Sequence, residues 1–489
     1  MARRLDLWLP SYVLEAAARR RARRARSDKL THVFFLICDH YEPRHKATHE
    51  GQAWERVETW RRDYPAFQKR CLDSFGQAPL HSWFFPPHHG AEHLPQLSAM
   101  AHAGGGEVEL HYHHRDDTAE SLTRDLKATL ALYHRHGLLL ESGEPPRTSF
   151  GFVHGDWTLD NACNGAYCGV NGELSLLQGL GCWADFTMPS ANEAQTRKIN
   201  SIYYAVDDPA RHKSHDRGVD AAVGRVDPPG FFLMQGPLAV NWRAPGYPRI
   251  ENASLTTSNW GRPDRVRTWL DCGVHVQGRP DWLFIKLHTH GAVERDFDAL
   301  FGETAFKMHE ALNELCNDGR DYQLHYVTAR QAYNIAKAAE RGLGGDPRQW
   351  MDLVVGPPAT AYYALAAQHD LAVCTAKRLR ITNVEGDGDA TLATTVGALR
   401  EVHGAFVGID IDIGIDTDIA GAAMRGSIAA DLRCAGDLRL KFARPIELEN
   451  TGDGALPIPM DASGTLWRFP ASIPGLTRLR FRERVTVAS

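Results

Sequence analysis

No stretch of the chain approaches the roughly 18 uninterrupted apolar residues a membrane-spanning helix needs. A secretory leader is missing too: residues 1–26 are basic, with Arg19-Arg20-Arg21 following Ala16-Ala17-Ala18, and hold no apolar segment. A cytoplasmic location is the expectation. The basic start, residues 1–29, reads as a helix on the protein's own surface, with peripheral contact to an anionic membrane as the alternative. Cysteines number nine, an odd count without a repeated Cys-x-x-Cys pattern, which excludes a disulfide framework and fits reduced thiols. Cys163 and Cys168 are the closest pair, and free thiols are preferred there over a structural zinc. Strong net charge is also lacking, at −5 over 489 residues, which argues against a dedicated nucleic-acid binder. Neither a glycine-rich phosphate loop nor a Gly-x-Ser-x-Gly elbow stands out, so kinase and serine-esterase chemistry are disfavoured.

What is present begins with an ordinary soluble composition, 43% hydrophobic and 24% charged, in a chain long enough for two or three units. Residues 31–38 (Thr-His-Val-Phe-Phe-Leu-Ile-Cys) form a continuous apolar run, the mark of a buried strand, ending at Asp39-His40-Tyr41-Glu42-Pro43. A second strand over 80–85 is followed by Pro86-Pro87-His88-His89-Gly90. The segment 107–118 reads Glu-Val-Glu-Leu-His-Tyr-His-His-Arg-Asp-Asp-Thr and alternates as a strand through Tyr112. In an extended chain His111 and His113 point to the same side. Imidazoles so placed suit zinc or a similar divalent ion, with a carboxylate from elsewhere completing the set.

Asp117-Thr118-Ala119-Glu120 then predicts a capping box opening a helix to about residue 137. Further strands are expected over 148–153, ending in His154-Gly155-Asp156-Trp157, and over 182–187, containing Asp185. Others follow over 231–234, 282–287 and 323–327, the second of these ending in His288-Thr289-His290-Gly291. Helices are expected over 173–181 and 293–316 and from Thr328. Alternating strands and helices imply an α/β fold, a parallel sheet closed or nearly closed as a (β/α)7-8 barrel over 30–341. In such a barrel Asp39, His88, His89, His111, His113, His154, His288 and His290 all lie at the C-terminal strand ends and share one mouth. Gly-Leu-Gly-Gly-Asp-Pro at 342–347 reads as a linker. Beyond it, 342–489 reads as a β-rich accessory domain resembling a small sandwich, because Ile409-Asp410-Ile411-Asp412-Ile413 and Leu438-Arg439-Leu440-Lys441 alternate strictly. The Asp row is taken as a solvated sheet face before a calcium site; carbohydrate binding is a further reading for this domain.

Taken in order, these motifs resemble the polysaccharide deacetylase superfamily, the family 4 carbohydrate esterases, over roughly residues 30–335. Cys38-Asp39-His40 stands where that family has an Asp-Asp pair. Glu107 followed by His111-Tyr112-His113-His114 stands for its histidine motif, and this His-x-His form is similar to a divergent branch found at exopolysaccharide loci. Gly181-Cys182-Trp183-Ala184-Asp185 and Leu287-His288 are similar to its later motifs. The family's second histidine would fall at Arg115, so His113 or His114 takes that place. Its Arg-Pro-Pro-Tyr motif is absent, with His154-Gly155-Asp156-Trp157 in the slot. The resemblance implies a metal-dependent hydrolase, the metal most naturally zinc, that removes acetyl groups from a polysaccharide or sugar precursor. It implies Asp39, His111 and His113 on the metal, Glu42 or Asp156 as base, and His288 or His290 as acid. His88, His154, Trp157 and Asp185 would line the substrate. Alternatives are another metal-dependent amidohydrolase, or an inactive deacetylase fold that binds carbohydrate.

Overall fold

The computed structural model describes residues 4–26, 28–136, 138–142 and 147–357, and beyond these strand backbone between 360 and 483. Two compact units divide the chain, residues 1–131 with 139–356, and residues 132–138 with 357–489.

The first unit opens with α1 (Leu5–Leu14) and α2 (Ala16–Ala25), then β1 (Thr31–His40), α3 (Glu50–Gln68) and β2 (His81–Phe85). α4 (Leu94–Met100), β3 (Gly106–Tyr112), α5 (Ala119–Arg135), β4 (Leu140–Ser142) and β5 (Arg147–His154) come next. α6 (Glu173–Gly179), β6 (Cys182–Asp185), β7 (Ser201–Ala205), β8 (Gly218–Asp220) and β9 (Phe231–Gln235) follow. A hairpin of β10 (Ala239–Asn241) and β11 (Arg249–Glu251) precedes α7 (Pro263–Cys272) and β12 (Trp282–Thr289). α8 (Asp298–Phe301), α9 (Glu303–Cys316), β13 (Tyr322–Tyr326) and α10 (Ala329–Glu340) close the series.

Eleven strands form one sheet, in the order β12-β1-β2-β3-β5-β6-β9-β7-β8, with β13 also on β1 and β4 on β5. Every ladder among β1, β2, β3, β5, β6, β9, β12 and β13 is parallel. β7 and β8 add an antiparallel edge. The mostly parallel α/β sheet is as the alternation predicts. Among the described residues no ladder joins the β12 edge to β8; Phe284 N–H donating to the Val274 carbonyl at 2.9 Å is one link across that side.

β1 shows why an unbroken apolar run was needed. Phe34, Leu36 and Cys38 enter one buried cluster with Phe84, Val153, Trp183, Phe232 and Phe284, while Phe35, on the other face, packs on Trp269, His309 and Tyr326. A strand covered on both faces must be apolar on both.

Local differences from expectation have local causes. The basic start is two helices, and α2 lies along α7, with Arg23 paired to Asp271 at 3.1 Å and buried Arg26 donating to the Leu270 carbonyl. The helix over 293–316 breaks at Gly302, and Asp298 accepts the Glu303 N–H at 2.9 Å. The cap of α5 sits one residue later than read: the Thr118 hydroxyl accepts the Ser121 N–H. Asp117 is thereby freed for a histidine. The first unit runs past 341 because the Asn334 amide holds the carbonyls of Met351 and Val355, folding residues 347–355 onto α10.

The second unit holds two antiparallel sheets of seven and five strands. Strand Ile409–Thr417 pairs with both Arg378–Ile381 and Met424–Leu432, so the Asp row occupies an inner strand. Its side chains, and with them the calcium reading, lie outside the described residues. No described helix is long and apolar enough to cross a membrane.

Candidate active site at the strand ends

The pleat decides which residues of β1 reach the mouth. Cys38 and His40 face inward and Asp39 faces outward, toward α3. Asp39 is fully buried there, accepting the Gly291 N–H at 2.6 Å and facing His81 Nε2 at 2.8 Å. Each oxygen carries a contact, and Asp39, expected in the metal set, is not among the side chains whose ligand atoms converge at the mouth. Glu42, past the strand end, is. Glu42 Oε1 lies 2.9 Å from His113 Nε2 and 3.7 Å from His111 Nε2, and the two imidazole nitrogens are 3.0 Å apart. The same carboxylate lies 3.7 Å from His89 Nε2 and, through Oε2, 3.7 Å from His290 Nε2 and 3.9 Å from His45 Nδ1.

These donors fit a divalent cation. Glu42, His111 and His113 each present one ligand atom to a common point. His111 Nδ1 faces the Val153 carbonyl at 2.8 Å and His113 Nδ1 faces Asp156 Oδ2 at 3.4 Å. Each contact leaves Nε2 free as a ligand, the usual outer support of a metal-binding imidazole. The electrostatics agree. Burial pushes the Glu42 carboxyl up, but the neighbouring imidazoles of His111 and His113 outweigh it and hold the group well below the usual carboxylate range. His113, against its own burial, is pushed up to about 9 by Asp156 and Glu42. The protein therefore favours positive charge at this point.

Around the three ligands the expected residues divide. His88 stacks edge-on to His113 with centroids 5.3 Å apart and, desolvated, is pushed down to about 4. His89 is likewise pushed down to about 3 and takes the Arg44 N–H on Nδ1, so it stands neutral beside Glu42. His288 is buried and held well below the ordinary histidine range by desolvation and then by Lys286. His290 is more exposed, its side chain 28% accessible. Trp157 covers His40, His288 and His290 at centroid distances of 5.4–6.1 Å. His40, which sequence reasoning left off the site, lies 4.7 Å from His111 ring to ring, with its buried Nε2 unbonded. Its inward place on β1, one residue from Asp39, was the available signal.

Two expected lining residues are elsewhere. Asp185 is buried, accepting the N–H and the hydroxyl of Thr187 at 3.0 and 2.6 Å, and desolvation pushes it up to about 7. His154 is buried against His114 and Glu173, away from the Glu42 group.

Trp157 also lines an open cavity of about 1020 Å³, beside Asn192, Asn241, Asn252, Ser254 and Arg262. Tyr247, 65% exposed, stands on its wall. Amide, hydroxyl and guanidinium groups with two aromatic rings offer the hydrogen bonds and flat apolar faces that sugars present to proteins.

No family model and no curated protein matches the chain. Among solved structures it is similar to a "putative glycoside hydrolase/deacetylase" from Parabacteroides distasonis, 12% identical over 82% of each chain, with a TM-score of 0.35. So loose a superposition leaves function to be read from this chain's own side chains.

Proposed function

We propose that this protein is a zinc-dependent hydrolase that removes acetyl groups from a saccharide. The observation that carries the reading is the convergence of Glu42, His111 and His113 on one point beside a polar, aromatic-walled cleft. A divalent ion held by these three would polarise the acetyl carbonyl and lower the pKa of an attacking water. Asp156, half exposed at the mouth and kept ionised chiefly by its hydrogen bond to His113, is placed to accept that water's proton. His290 is placed to return a proton to the departing amine or alkoxide; its exposure and position above Glu42 favour it over buried His288. His88 crowds the ligand His113, and Trp157 forms a face against which a sugar ring can lie. The resemblance to polysaccharide deacetylases extends the reading to a barrel of that type and to an exopolysaccharide precursor handled in the cytoplasm.

The test is metal content of protein purified without added metal, with acetate release from acetylated oligosaccharides, wild type beside His111→Ala. Loss of one ion per chain together with loss of acetate release in the variant is the expected result. Wild-type protein that takes up no divalent ion after incubation with zinc would remove the hydrolytic reading.

A further inference from the structure

A second group of metal-type donors stands next to the first, and the mechanism above does not use it. His114 Nε2 and His154 Nε2 face each other at 2.8 Å, and Glu173 Oε1 lies 3.0 Å from the former and 3.3 Å from the latter. Cys168 Sγ is 3.6 Å from Glu173 Oε2, and the four ligand atoms all lie within 4.8 Å of one another. Cys168, His154 and Glu173 are buried. We propose that His114, His154, Cys168 and Glu173 bind a structural zinc ion.

The outer contacts argue for it. His114 Nδ1 pairs with Asp117 Oδ2 at 2.8 Å, and His154 Nδ1 donates to the Gly155 carbonyl. These neighbours suit tautomers that carry the proton on Nδ1 and leave both Nε2 atoms facing the same point. Two lone pairs facing at 2.8 Å need a proton or a metal ion between them, and such outer carbonyl and carboxylate partners are what metal-bound imidazoles carry. Two nitrogens, one oxygen and one sulfur are the donor count and type of a closed structural zinc site, which would leave no position for substrate. On binding, the Cys168 thiol gives up its proton and the imidazoles bind neutral.

The position gives the ion a task. The loop 155–172 that joins His154 to Glu173 carries Asp156 and Trp157 into the active site. Six of its non-glycine residues, Asp156, Trp157, Asp160, Asn161, Asn164 and Tyr167, lie at positive φ. Asp and Asn adopt such backbone readily, but Trp157 and Tyr167 hold it only where surrounding contacts enforce it. An ion tying the end of β3 to both ends of this loop and to Cys168 within it supplies that enforcement. His113 and His114, consecutive in sequence, then serve different ions.

The test is ion stoichiometry together with cobalt spectroscopy. Wild-type protein is expected to hold two divalent ions per chain, and His111→Ala and Cys168→Ala one each. Cobalt-loaded wild type and His111→Ala should show a thiolate-to-cobalt charge-transfer band in the near ultraviolet, absent from Cys168→Ala. Should Cys168→Ala fail to fold, the band in wild type and His111→Ala decides alone. Absence of the band from cobalt-saturated wild type, or a Cys168→Ala protein with the full wild-type ion count, overturns the proposal in favour of a proton shared within the cluster. Failure of the first site is distinguishable: His111→Ala would then keep every ion the wild type holds, whatever Cys168→Ala does.

Discussion

The sharpest test of the site is Asp39→Asn, because the sequence motif and the folded chain assign this residue different work. As a metal ligand, Asp39 would take the ion with it when neutralised. In the structure it is a buried anchor instead, bonded to the Gly291 N–H at 2.6 Å and to His81 at 2.8 Å. Asparagine keeps the size, its carbonyl can still accept from Gly291, and its amide can donate to a re-tautomerised His81. What is lost is the charge assistance on two hydrogen bonds, about 1–1.5 kcal/mol each and roughly 2–3 kcal/mol together. The first unit has about 350 residues; at about 2 cal/mol/K per residue, that cost lowers its melting temperature by roughly 2–4 °C. Asp39→Ala leaves two buried groups unsatisfied, each costing about 1–3 kcal/mol more, and should melt markedly lower. The assay is a thermal melt together with ion content by mass spectrometry. Asp39→Asn is expected to retain its ions with a modestly lower melting temperature, and Glu42→Gln to lose the active-site ion. Ion loss in Asp39→Asn with retention in Glu42→Gln would refute the geometry.

Other consequences are open to measurement. Trp157→Ala should raise KM for acetylated oligosaccharides several-fold while leaving ion content unchanged; an unaltered KM would exclude the ring as a substrate platform. Asp156→Asn should lower kcat by about 10²–10⁴-fold if it is the general base, and an unchanged kcat removes it from the mechanism. Fully buried His309 is pushed down to about 3 by desolvation, with Nδ1 on the Tyr326 hydroxyl at 2.8 Å. A histidine whose folded pKa is depressed contributes stability above its unfolded value near 6.5 that is lost as pH falls toward 3. His309→Gln should therefore lose less stability than wild type between pH 7 and pH 4, the difference reaching a few kcal/mol; parallel pH profiles would count against that account.

Much of the architecture was legible in local pattern. The apolar run over 31–38 and the alternation through Tyr112 read as strands, and strands alternating with helices pair most simply in parallel. That put histidines at the C-terminal strand ends before any coordinate was known, and the two-residue spacing of His111 and His113 made them partners on one face. Period two says which residues share a face. It does not say which face meets the mouth, nor what occupies the other.

Those matters were decided by contacts distant in sequence. Asp39 is engaged by Gly291, 252 residues away, while Glu42, past the end of β1, meets His111 and His113. Asp185 looked like a lining residue until its own Thr187 claimed both oxygens. His114 was one of three similar histidines in sequence; only the fold brings it to His154, Cys168 and Glu173. Sequence alone determined the donors and the strands that carry them, because side-chain chemistry and backbone period are local. Tertiary structure alone decided which donors can share an ion, because ligands must meet within a few ångströms, and in this chain the candidates come from segments up to 71 residues apart, as Glu42 and His113 do.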